Sequence, residues 1–251
     1  MPTYSMGSKR WLESVFSSPP VDKLKHRSSY TQTHQPWQSG PERFAPVQGR
    51  GELHAFLALS YLKTLGLVGR FKEHPFETDA TEFGRQIKPD FLAEILGHGE
   101  QPALPLVLEI KTARFLTEAV ALELHSNQVG FAKFGLQYSV WTDRHPLRHG
   151  LRHNLINMHR ASGEDINTQE VLRLRGFVSD AGSVTALKAI EAGFDLDCIF
   201  AAAWRGVIHF GLDEFLNLRS ELTVNPVRDL RQIFLARRPA SDDWWSSLAR
   251  A

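Results

Sequence analysis

Three side chains within one stretch of this sequence have the types and spacing for hydrolytic chemistry: Asp90, Glu109 and Lys111. Asp90 follows Pro89 and leads the apolar pair Phe91-Leu92, while Glu109 and Lys111 close the run Leu106-Val107-Leu108-Glu109-Ile110-Lys111. Side chains at i and i+2 of a strand share a face, so Glu109 and Lys111 project together while Ile110 turns to the core. Pairing the two runs as a hairpin brings Asp90 alongside. Two carboxylates and one ammonium at a sheet edge suit divalent-metal hydrolysis of a phosphodiester. The same three residues also suit a structural salt bridge at a hairpin end, because charges near a core must be paired or bind metal.

The elements that position these residues follow from periodicity. Leu53, Phe56, Leu57, Leu59 and Leu62 recur at helical spacing and predict a helix over 52–65, ended by Gly66 and Gly69. Residues 68–76 read as a strand, 88–111 as two more, 117–134 as a helix and 136–142 as a further strand. This order predicts an α/β core with one mixed sheet flanked by helices. A carboxylate on the first helix can reach a site built on the following strands, which makes Glu52 a candidate. A glutamate at a helix start also answers the helix dipole with no further role.

Residues 1–46 are rich in Ser, Pro, Gln, His and Thr and predict an extended arm, with Tyr30, Trp37 and Phe44 as anchors. The core domain is expected over 47–160. Beyond a linker at Ala161-Ser162-Gly163-Glu164-Asp165, residues 161–251 predict a small, mainly helical domain. Its expected order is helix over 185–192, helix over 195–204 and short strand over 207–215. A winged helix has that order, as do other small folds. The tail carries Arg228, Arg231, Arg237 and Arg238 and the pair Trp244-Trp245, apolar surface that calls for a docking partner.

With 251 residues, 42% of them apolar and 23% charged, the chain can bury a core in one or two domains. A net charge of +1 provides no global basic field, so contact with nucleic acid would need local patches or partners. The single Cys198 excludes an internal disulfide and a multi-cysteine zinc site and suits a reducing cytosol. No apolar run approaches membrane-spanning length and no signal-peptide core is seen, so a cytoplasmic protein without membrane segments is expected. Arg144, Arg148 and Arg152 recur every four residues beside His145, His149 and His153. With Pro146 in a first helical turn, both rows fall along one side of a helix, as a phosphate-binding face or a solvated one. These histidines and His159 have no accompanying cysteine or closed ligand set, so no metal site is expected there.

Lys88-Pro89-Asp90-Phe91-Leu92 and Val107-Leu108-Glu109-Ile110-Lys111 form the Pro-Asp…Glu-x-Lys pattern of nuclease cores. Together with Phe71-Lys72-Glu73-His74-Pro75, Tyr138-Ser139-Val140-Trp141-Thr142-Asp143 and Asn154-Leu155, they resemble the TnsA-like endonuclease subunit of heteromeric DNA transposases. The resemblance covers about residues 49–160. It implies a restriction-endonuclease-like fold that cuts the 5′ ends of a mobile element while a separate DDE-type transposase subunit cuts and joins the 3′ ends. It implies Asp90, Glu109 and Lys111 as active-site residues, with Glu52 as the helix acid, about one turn further from the charged strand than the family pattern. Glu52, Asp90, Glu109 and the Ile110 carbonyl would hold one or two Mg²⁺ ions, for which Mn²⁺ substitutes, and Lys111 would orient the attacking water. The implied partners are double-stranded DNA at the element's ends, the transposase subunit and an AAA+ ATPase regulator. Two other readings stand beside this one: a stand-alone restriction-like or junction-resolving nuclease, and a non-catalytic scaffold of a transposition complex.

Overall fold

The computed structural model describes residues 4–19, 21, 50–97, 102–163, 166–226 and 230–234. The described residues fall into two compact units. One holds those up to Ala55 together with Gly66–Asp143; the other holds Phe56–Leu65 and those from Arg144 onward.

The first unit is a mixed four-stranded sheet flanked by helices. Its strands, β1 (Val68–Glu73), β2 (Phe91–Ile95), β3 (Leu104–Lys111) and β4 (Gln137–Thr142), lie in that spatial order. β1–β2 and β2–β3 are antiparallel, and β3–β4 is parallel, joined through a long crossover. The expected hairpin is β2–β3, with Phe91 opposite Leu108 and Leu92 opposite Val107. The short helix α3 (Ala80–Phe83) precedes β2, and α4 (Glu118–Ala132) lies in the crossover, capped by Thr117 accepting the Val120 N–H. Leu92, Val107, Leu124, Phe131, Tyr138 and Val140 share one buried cluster, so the strands that carry the candidate residues stand on a dry core.

The arm expected over 1–46 begins instead with a helix, α1 (Lys9–Ser17), started by Ser8 accepting the Trp11 N–H. Its anchors are tertiary. Trp11 meets Phe76 edge-on at 4.9 Å, and Arg70 makes two hydrogen bonds to Glu13 at 2.7 and 2.9 Å while covering Phe16. Buried Lys72 donates from Nζ to the Val15 and Ser18 carbonyls and to Ser18 Oγ. A cation on the last carbonyls of a helix also complements its dipole. Tyr30, Trp37 and Phe44 lie outside the described residues, as do Arg228, Arg237, Arg238 and the Trp244-Trp245 pair.

Helix α2 (Arg50–Thr64) gives its first residues to this unit and the rest to the second. The second unit continues with α5 (His149–Ser162), α6 (Thr168–Ala181), β5 (Ser183–Thr185), α7 (Ala186–Glu191), α8 (Leu196–Trp204), β6 (Glu221–Thr223) and α9 (Leu230–Phe234). The break after Asp143 lies upstream of the one expected near residue 161, because α5 packs against α8. Residues 207–215 do not form the expected strand. They contribute one bridge, His209 to Thr223, while β5 pairs antiparallel with β6. Downstream backbone is taken up elsewhere: buried Asn154 donates to the Leu212 and Glu214 carbonyls and accepts the Leu216 N–H. Gly150 permits the approach, since a Cβ there would stand 2.3 Å from the Asp213 carbonyl oxygen. Among the described residues no helix is long and apolar enough to cross a membrane.

Candidate active site

The polar residues gather where β2 begins and β3 ends. Asp90, one residue before β2, is buried, and its Oδ2 accepts the Ile110 N–H at 2.7 Å. Its own N–H donates to the Leu108 carbonyl at 3.2 Å. Pro89 supplies no donor here, so the chain enters the sheet only at Asp90. On β3, Glu109 and Lys111 share the face of Val107, the buried-cluster side, and Ile110 faces the other way.

Lys111 Nζ contacts Glu109 Oε1 directly. Burial by itself pushes the ammonium down, but Glu109, Asp90 and Glu123 together outweigh it, and Lys111 ends above its ordinary value. Asp90, Glu109 and Glu123 thus all lie in the electrostatic surroundings of Lys111. Glu123 on α4 is tied to Arg85 at 2.6 Å, and Arg85 reaches Asn127 Oδ1 at 3.0 Å. Tyr138 borders the same site: burial raises its hydroxyl far above the usual range, and Glu109 and Asp90 add to the shift. After Lys111 the chain turns sharply, held by Asp143 Oδ1, which accepts the Ala113 N–H at 2.7 Å.

Glu52 reaches this neighbourhood despite its sequence offset. Gly51 lets the start of α2 lie on β3, since a Cβ there would be 3.0 Å from Ile110 Cγ2. Glu52 Oε2 lies 3.7 Å from Nε2 of His74, the residue just beyond β1, and the His74 N–H donates to the Asp90 carbonyl at 2.8 Å. The four predicted residues and Ile110 thus belong to one connected region. His74 was not singled out from the sequence; its only signal was a histidine before proline at a strand end.

Among the described residues no three His, Cys, Asp or Glu side chains stand in a cation-ready array. Asp90 Oδ2 is occupied by Ile110, and Glu109 by Lys111. The donor chemistry nonetheless fits a hard divalent cation. Asp90 and Glu109 both act on the Lys111 ammonium, Glu52 stands against His74, whose backbone is bonded to Asp90, and all three acids offer oxygen ligands.

The arginine row is differently placed from its expectation. α5 begins at His149 with Arg148 as its cap, and Pro146 follows a cis peptide ahead of it, so Arg144, His145 and Arg148 precede the helix. Arg144 and Arg148 are exposed, and Arg152 is half-buried within α5. His149 and His153 both lie edge-on to Phe215, at 5.0 and 4.9 Å, so this pair packs on the 212–216 segment.

Compared with known proteins, the sequence matches no family model and no curated protein.

Proposed function

We propose that the protein is a divalent-metal-dependent DNA endonuclease, the strand-cutting subunit of a cut-and-paste transposition system. The observation that supports this most is geometric: the Asp90 carboxylate is fastened to the Ile110 N–H, between Glu109 and the Lys111 that contacts it, at adjoining strand ends. A salt bridge needs only Glu109 and Lys111; the second, buried carboxylate gives the site an acid beyond that pair.

Asp90, Glu109 and Glu52, with the Ile110 carbonyl, would hold Mg²⁺ or Mn²⁺, which when bound lowers the pKa of water and offsets charge developing on a phosphodiester. Asp90 is held rigidly for this role by its N–H and its carboxylate together. Glu109, which now pairs with Lys111, would be one of the residues that hold the cation, and the Lys111 ammonium would orient water or face the phosphate oxygens. Tyr138 and Asn127 close the buried side of the site.

The transposition context rests on the sequence resemblance, and so do a DDE-type transposase, an AAA+ regulator and duplex DNA at the element's ends as partners. The order α6–β5–α7–α8–β6, with His209 bridging Thr223, favours a winged-helix-like second unit. One observation favours the scaffold reading instead: Glu109 is occupied by Lys111, as in a purely structural pair.

Cleavage of a labelled element-end duplex in Mg²⁺ or Mn²⁺ tests the reading, comparing wild type with Asp90→Asn, with and without the transposase. Cutting that requires Asp90 is the expected result. Its dependence on the transposase distinguishes a partnered subunit from a stand-alone nuclease. No cutting under any condition, with DNA binding kept, would leave the scaffold.

A further inference from the structure

His74 occupies an unusual position for a buried residue. It is 3% exposed and has a backbone φ of 42°, in the left-handed region. Few residues other than glycine adopt such a conformation, and it persists only where the surroundings impose it. Pro75 further narrows the conformations open to His74. Two backbone hydrogen bonds fix it, from the His74 N–H to the Asp90 carbonyl and from the Val21 N–H to the His74 carbonyl, both 2.8 Å. The imidazole is thereby presented to Glu52, with Nε2 at 3.7 Å from Oε2, within ion-pair range though longer than a hydrogen bond.

We infer that His74 is a positioning residue that sets the Glu52 carboxylate relative to Asp90. The inference rests on the nuclease reading above. Glu52 sits on a helix distant in sequence from the hairpin, and its carboxylate stands against His74. His74 joins the two: its backbone is bonded to the residue that begins β2, and its ring meets the helix acid. Its burial removes it from contact with substrate, so it acts through Glu52 and not as an acid or base on DNA. The Val21 bond adds that the segment leaving α1 closes on the same residue.

The test uses the full chain and two substitutions. His74→Gly removes the ring while accepting the left-handed backbone, and His74→Asn keeps a short polar group that tolerates it. Each is made alone and with Glu52→Gln, beside Asp90→Asn. Cleavage of the end duplex is measured as kcat and KM, under the partner condition that supports wild-type cutting. The Mg²⁺ concentration that half-maximally raises the melting temperature is measured in parallel. His74→Gly is expected to lower kcat about tenfold or more with KM within about twofold, as misplacement of a catalytic group does. Its half-point for Mg²⁺ rises several-fold, and His74→Asn falls between it and wild type. In the Glu52→Gln background the same change lowers kcat by less than about twofold, because residues acting as one unit are non-additive.

Effects that multiply in the double variant, or a lower melting temperature with kcat and the Mg²⁺ half-point unchanged, would overturn the inference. If His74→Gly does not fold, His74→Asn and its double variant decide by the same criteria. An inactive Asp90→Asn beside a fully active His74→Gly sinks the His74 role alone. Full activity of Asp90→Asn, or no cutting by wild type under any condition, removes the nuclease reading and this inference with it.

Discussion

Asp90 and Ile110 are joined side chain to backbone: the Asp90 carboxylate accepts the Ile110 N–H at 2.7 Å, between the two residues that carry the rest of the site. An acid ahead of one strand is thus fastened to the middle of the Glu109-Ile110-Lys111 triplet. Asp90→Ala removes the acceptor of a partly buried N–H and should cost about 1–3 kcal/mol of stability. Asp90→Asn keeps a carbonyl oxygen there and should unfold nearer to wild type in urea. Both should lose cleavage. A fully stable Asp90→Ala protein would show that the Ile110 N–H finds another acceptor.

Lys111→Ala takes from Glu109 its ammonium partner and removes a cation on which both acids act. Cleavage should fall strongly while the far-ultraviolet spectrum and DNA affinity stay near wild type. Undiminished cutting would remove Lys111 from the chemistry.

Lys72 gives a paired prediction. Lys72→Met leaves carbonyls of Val15 and Ser18 without their donor, a loss of about 1–3 kcal/mol. Deleting residues 1–19 instead takes both carbonyls and Ser18 Oγ from the Lys72 ammonium, and removing a partner of a buried charge costs about 3–5 kcal/mol. Chemical denaturation should therefore find the truncated protein less stable than Lys72→Met, and Lys72→Met should partly restore the truncated one. Additive losses would mean that the ammonium finds water once α1 is gone.

His159 lies edge-on to Trp204, and burial pushes its pKa from 6.5 down to about 4. His209 is lowered by burial as well. A histidine kept neutral in the fold binds fewer protons than the unfolded chain across this interval. Its contribution is whole above pH 6.5 and is lost as pH falls toward 4. Melting temperatures should decline over that window, and His159→Phe should flatten the decline. An unchanged pH profile in that variant would assign the slope to other groups.

Asn154 makes three hydrogen bonds to the 212–216 backbone while fully buried. Asn154→Leu keeps the branched outline of the side chain but leaves two carbonyls and one N–H unpaired, and each buried unpaired group costs about 1–3 kcal/mol. Amide exchange at Leu216 should quicken in this variant. Unchanged protection there would show that the segment is held by Phe215 packing alone.

The parts legible in the sequence were those where period and burial agree. α2, α4 and the β2–β3 hairpin have long apolar repeats or runs bounded by Gly and Pro, and the alternation on β3 placed Glu109 and Lys111 on one face. What escaped depends on distant partners. α1 is a short helix held by Arg70 and Lys72, invisible within a stretch whose composition reads as an arm. α6 was not anticipated at all, its apolar positions Val171, Leu174 and Val178 being few. Residues 207–215 look extended and apolar, but Asn154 captures the backbone that follows His209. The sequence offset of Glu52 does not say where its helix starts against the sheet; in space Gly51 lies against Ile110 and Glu52 against His74.

Under the nuclease proposal, helix α8 bears on how a DNA site would be chosen. In Leu196–Trp204, every residue from Cys198 to Trp204 is buried. Its first turn carries Asp197, and Asp195 caps it. A helix so enclosed, with acids at its open end, has no free side to lay in a major groove, and those acids would meet phosphates with repulsion. Even if the second unit shares the outline of a DNA-reading module, the element that would do the reading has become its keel. Recognition of a particular sequence would then fall to other surfaces or to a companion subunit, and this chain would supply the cut.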